Sequence, residues 1–72
     1  MKPKLITRSW KVGRYTATLI IERLPTGGHR SHCDWDPHQP KRMGPVMEAE
    51  WQAGLHIAIA SIRAELKQEV KR

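Results

Sequence analysis

The sequence has a single cysteine, no long apolar run and few acidic residues. Cys33 has no partner for a disulfide within the chain, and this favours a reducing compartment, so a cytoplasmic location is expected. The longest apolar stretch, residues 55–62, is interrupted by His56 and is far shorter than the roughly 20 residues of a membrane span. Residues 1–12 contain no apolar segment of signal-peptide length. A chain of 72 residues therefore predicts one small domain over residues 1–72, without a membrane partner.

Motifs for catalysis, metal binding and phosphate binding are also missing. The densest group of potential metal ligands is His29, His32, Cys33 and His38, and it lacks the spacing of standard zinc sites. On a strand, His29 and Cys33 would point to one face and His32 to the other, so His32 and Cys33 cannot pair as base and nucleophile. We interpret Cys33 as a small hydrophobic residue beside Trp35. The sequence predicts a non-catalytic protein without a cofactor, and it leaves open whether the histidine and cysteine cluster binds a metal.

Basic residues outnumber acidic ones by 13 to 7, which gives a formal net charge of +6. Residues 1–24 contain six Lys or Arg and one Glu, whereas residues 46–72 contain equal numbers of each sign. The charge excess therefore lies in the first part of the chain. A basic surface of this kind favours an anionic partner such as nucleic acid.

The order of local patterns predicts an α+β fold, a three-stranded antiparallel meander followed by one long C-terminal helix. Residues 5–35 contain β-favouring segments separated by Gly13 and by the turn sequence of residues 25–28. Residues 36–44 contain two prolines and a glycine and predict a loop. Residues 45–71 predict the helix, with Pro45 at its first position, and residues 1–4 predict a flexible start.

Apolar residues fall on two sides of the predicted helix. The first side should cover the sheet, and its members are Met47, Trp51, Leu55, Ala58, Ile59, Ile62, Leu66 and Val70. The second side recurs at similar steps, and three strands leave nothing to cover it. A helix-mediated homodimer is therefore expected, with an interface made of Val46, Ala53, Ile57, Ala60 and Ala64. The expected core combines both elements, in Trp10, Leu19, Ile21, Trp35, Trp51, Leu55 and Ile62.

Two functions fit this architecture. The first is nucleic-acid binding by the sheet face that points away from the helix, mainly through phosphate contacts, with Lys11, Arg14, Thr16, Thr18, Arg30 and His32 as the contacting residues. The order of three strands and a helix is similar to that of integrase arm-type DNA-binding domains, a likeness of architecture without a shared motif. The alternative is a protein–protein interaction module or inhibitor, of the kind found among accessory proteins of phages and mobile elements. Its partner would use the second helix face or the free strand edges.

Overall fold

The β-favouring segments form one antiparallel sheet, and the periodic segment after Pro45 forms one helix. The computed structural model describes residues 4–70, with side chains to residue 68. Its elements are β1 (Lys4–Val12), β2 (Tyr15–Arg23), β3 (His29–Asp36) and α1 (Pro45–Val70). The strands lie in the order β1-β2-β3. The predicted βββα arrangement is confirmed, while most of the predicted flexible start and the predicted end of the helix lie outside the described residues.

Both turns depend on a glycine with a positive φ. Gly13 has φ 61° and Arg14 does not have a positive φ, which is the pattern of a two-residue type II′ hairpin turn. Gly27 has φ 102° in the second turn, where its amide donates to the carbonyl of Leu24 over 3.0 Å. Each glycine reverses the chain with a backbone conformation that L side chains rarely adopt.

The loop of residues 37–44 folds back over the hairpin end of the sheet. The His38 ring meets the edge of Tyr15, with centroids 5.5 Å apart, and Pro40 is buried. At the end of this loop the amide of Glu48 donates to the carbonyl of Gly44 over 2.9 Å, which closes the first turn of α1. Pro45 occupies the first helical position, where its missing N–H leaves no hydrogen bond unmade.

The core lies between α1 and the first two strands. Ile6, Leu19, Ala58 and Ile62 form the buried cluster. Of the predicted core, Leu19 and Ile62 are buried, and the side chains packed at the margin of the cluster include Trp10, Ile21 and Leu55. Trp35 and Trp51 are half-buried and lie outside this cluster.

The helix covers only part of the sheet. Within the described residues, α1 packs on β1 and to a lesser extent on β2, and no Cα atom of α1 lies within 8 Å of one in β3. Trp35 stands on β3, so it lacks the helical cover that the core prediction assumed. The position of α1 therefore leaves β3 without helical cover.

Candidate interaction surfaces

The open face of the sheet, the side away from α1, carries most of the residues predicted to bind nucleic acid. Strand register sets its cross-strand rows. One row joins Lys11 to Thr16 and Asp36, and the remaining rows add Thr18, Arg30 and His32. Arg14 lies in the hairpin turn and is exposed there, so it extends the face at its end and is not part of a row.

Carboxylates reduce the positive charge of this open face. Arg30 donates to Glu22 Oε1 through Nε at 3.1 Å and through Nη2 at 2.7 Å. Asp34 and Asp36 share the face with Lys11, so the strands contribute two cations against three carboxylates. Within the described part of the chain, Lys11 is the one cation of these rows without an ion-pair partner. The face is consequently less basic than the charge of the whole chain suggests.

A second candidate surface is the outer face of α1, formed by the residues of the predicted dimer interface. Val46 is 74% exposed and Ile57 is 70% exposed. Ile57 shares a side of the helix with Ser61, four residues later, and Ser61 Oγ accepts a hydrogen bond from Arg8 Nε of β1 at 2.9 Å. Ile57 therefore lies towards the β1 side of the molecule. The other members of the outer face, all exposed, are Ala53, Ala60 and Ala64.

The free edge of β1 is another candidate surface. Val12 and Tyr15 flank a two-residue turn, so they form a hydrogen-bonded pair, and pairs along β1 and β2 alternate from there. Even-numbered residues of β1 bond to β2, whereas odd-numbered residues point their backbone groups outward. Those donors and acceptors belong to Leu5, Thr7, Ser9 and Lys11. The strand contains no proline to block a further strand.

A fourth surface is the groove between α1 and β3, which the sequence patterns did not reveal. It encloses about 200 Å³ and is lined almost entirely by apolar atoms. Ile59, Ile62 and Leu66 form its helical wall, and Leu19 and Ile21 form its floor. Arg63 and His29 complete the lining. The groove exists because α1 stops short of β3.

The histidine and cysteine cluster is divided between the two faces. His29 and Cys33 lie on the helix side of β3, His32 lies on the open face, and His38 lies beyond the strand against Tyr15. Over residues 4–70 the structure brings no three potential metal ligands together. Cys33 is half-buried, in the same cross-strand row as Leu19.

Sequence reasoning missed the side chain that links β1 to α1. The Arg8 guanidinium donates to Ser61 Oγ, to Glu65 Oε1 at 2.5 Å and to the Thr7 carbonyl at 2.7 Å. A signal was present, because Ser61 and Glu65 are four residues apart and so share a side of the helix. Arg8 also interrupts the apolar series Ile6, Trp10 and Val12 on the helix side of β1. A cation at such a position indicates a hydrogen-bonding or charged partner on the element packed against it.

Comparisons of the chain with protein-family models, with curated proteins and with solved structures give no match. Among the described residues there is no helix with the length and apolar character needed to cross a membrane.

Proposed function

We propose that this protein is a non-catalytic protein-interaction module that assembles as a homodimer through the outer face of α1 and the free edge of β1. The observation that carries the proposal is the presence, in one small domain, of an exposed apolar helix face and a free strand edge on β1. Either feature alone is common on protein surfaces. Together they offer two features that a second copy could match by two-fold symmetry.

The spacing of strands and helices supports this pairing. Core contacts to Ile6 of β1 and Leu19 of β2 show that α1 spans both strands, and it packs mainly on β1. If β1 paired with its counterpart in a second copy, the helices would lie between one and two strand spacings apart, up to roughly 10 Å. Packed helices are separated by about 8–10 Å, and alanines permit such an approach. A single two-fold axis would thus pair the two β1 edges and also bring the two helices into contact.

The size of the interface predicts moderate affinity. The outer face from Val46 to Ala64 is about 27 Å long. With a depth of about 15 Å from helix to strand, the two copies would bury on the order of 1,000 Å², near the lower bound for a specific interface. Such an area is compatible with a micromolar dissociation constant.

Ile57→Glu tests the assembly, because it places a carboxylate at the centre of the outer face while leaving the core side chains unchanged. Light scattering should detect a dimer of the parent protein at about 500 µM, a concentration above a micromolar dissociation constant. The variant should be a folded monomer at the same concentration, since an unpaired buried charge opposes association.

Gln52→Glu is the matched control, because Gln52 is exposed on α1 outside the outer face and the substitution adds the same charge. This variant should dimerise like the parent. A parent protein that remains monomeric at 500 µM would contradict the proposed assembly.

Nucleic-acid binding is a second candidate, favoured by the net charge of +6 and by exposed Lys11 and Arg14 at one end of the sheet. Exposed Lys41 and Arg42 belong to the loop whose His38 packs on Tyr15 at that same end. Binding through these groups would engage phosphates, and affinity would fall steeply as salt rises.

Fluorescence anisotropy with duplex and single-stranded oligonucleotides at low salt tests this candidate. Replacing Lys11, Arg14 and Arg30 together by alanine should abolish binding. Binding that survives the replacement would move the site towards Lys41 and Arg42. No binding of the parent at low salt would remove nucleic acid as a candidate.

A further inference from the structure

The groove between α1 and β3 is an unfilled site on the helix side of the sheet. Leu19 and Ile62 contribute to the core and also line the groove, so the apolar interior continues into it. Ser31 and His29, on the same side of β3, are exposed beside it. A partner that fills the groove would remove this apolar surface from water, which favours binding.

The charges around the groove are positive. Arg63 is exposed and makes no hydrogen bond or ion pair with any described residue. Lys67 follows one turn later on the exposed helix surface. Two carboxylates are close in sequence to groove residues, and both form ion pairs away from the groove. Glu65 binds Arg8 on the β1 side, and Glu22 binds Arg30 on the open face. An occupant with carboxylates beside its apolar contacts would complement this rim.

The shape of the groove fits a helix. Ile59, Ile62 and Leu66 are spaced at steps of three and four along one wall, and the wall is about 10 Å long, or two helical turns. A second helix packed about 8–10 Å from α1 would lie above β3, the strand that α1 leaves uncovered. An added strand would instead need backbone groups at the edge of the sheet, outside this groove.

We infer that the groove between α1 and β3 binds an acidic amphipathic helix of a partner protein. Apolar residues of that helix, spaced at i, i+4 and i+7, would enter the groove, and its flanking carboxylates would face Arg63 and Lys67. The inference rests on the proposed function, since an interaction module requires a partner. It uses a different surface from the dimer contact, so the two can be tested separately.

The test uses a pair of labelled synthetic helical peptides of about 14 residues, a length of roughly four helical turns. Both carry leucines at i, i+4 and i+7, and their other positions alternate alanine with glutamate in one peptide and with lysine in the other. Anisotropy titrations of the full-length protein should show the glutamate peptide binding at least tenfold more tightly. Amide shifts in NMR spectra should concentrate at Ile59, Leu66 and Ile21. Equal affinities, or no binding of the glutamate peptide, would overturn the inference.

Two neighbouring positions on β3 provide a matched pair of variants. Ser31→Glu adds a carboxylate on the groove side, whereas His32→Glu adds one on the open face, and both positions are exposed. The first should weaken binding of the glutamate peptide at least tenfold and the second should change it less than twofold. Similar effects of both variants would show that net charge, and not the groove, controls binding.

Arg63→Glu should reverse the preference between the two peptides, whereas Arg14→Glu, in the distant hairpin turn, should preserve it. Ile57→Glu should leave peptide affinity unchanged. A monomeric parent that binds the glutamate peptide would contradict the proposed dimer and support the inferred helix-binding groove. A dimeric parent that binds neither peptide would support the dimer and overturn the inference about the groove. A Ser31→Glu variant that becomes monomeric would assign the groove to a second copy and overturn the inference.

Discussion

Gly54 shows how one missing side chain positions the helix. It lies within α1, where glycine costs about 1 kcal/mol relative to alanine. A Cβ at this position would overlap the indole ring of Trp10, because β1 approaches the helix backbone there. Glycine at this position lowers the helix propensity of α1, but it allows α1 and β1 to lie in close contact.

Gly54→Ala should destabilise the protein by roughly 1–3 kcal/mol, the usual cost of overpacking, despite the better helix propensity of alanine. Gly44→Ala is the control, since an added methyl group there meets no atom within 4 Å. Urea denaturation monitored by tryptophan fluorescence measures both free energies of unfolding. A Gly54→Ala variant more stable than the parent would show that Trp10 does not pack against the helix.

Arg8 and Arg30 both form ion pairs, and their surroundings predict that these pairs contribute differently to the free energy of unfolding. The Arg8 side chain is 32% exposed and joins β1 to α1, whereas that of Arg30 is 67% exposed and spans two adjacent strands. Arg8→Ala should lower the free energy of unfolding by about 1–2 kcal/mol, because it removes several charge-assisted hydrogen bonds. Arg30→Ala should cost at most about 1 kcal/mol. Equal losses in chemical denaturation would contradict this ranking.

At the scale of elements, the proposed assembly uses the free edge of β1. The alternation of the hairpin directs the Thr7 N–H away from β2. Proline at an outward-facing position of an edge strand removes no hydrogen bond within the sheet. This separates the folding role of β1 from its proposed role in assembly.

Thr7→Pro should therefore leave the monomer folded and prevent pairing between copies of β1. Circular dichroism and sedimentation equilibrium measure the two outcomes on the same sample. Thr18→Pro, in the central strand β2, should unfold the protein, because it removes a backbone donor that the sheet uses. A dimeric Thr7→Pro variant would place the interface away from the β1 edge.

For the whole molecule, the consequence of assembly is a melting temperature that depends on protein concentration. A hundredfold increase in concentration should raise the melting temperature of a dimer of this size by roughly 5–10 °C. Scanning calorimetry of the parent should show this rise, and Ile57→Glu should show none. The same melting temperature for the parent at all concentrations would contradict a dimer coupled to folding.

The element order followed from local chemistry that the sequence displays. Glycine at position 13, the turn at residues 25–28 and proline at position 45 divide the chain where the structure divides it. Strand alternation also assigned Leu19 and Ile21 to the helix side, since period two depends only on backbone geometry. Helical periodicity likewise placed Ala58 and Ile62 against the sheet.

The placement of α1 across the sheet was decided only by tertiary packing. Periodicity states which side of a helix is apolar, and it does not state which strands that side will cover. Contact of Gly54 with Trp10 and the hydrogen bonds of Arg8 hold α1 towards β1. Trp35 is therefore outside the core cluster and the groove beside β3 is unfilled, because both depend on distances between segments remote in sequence.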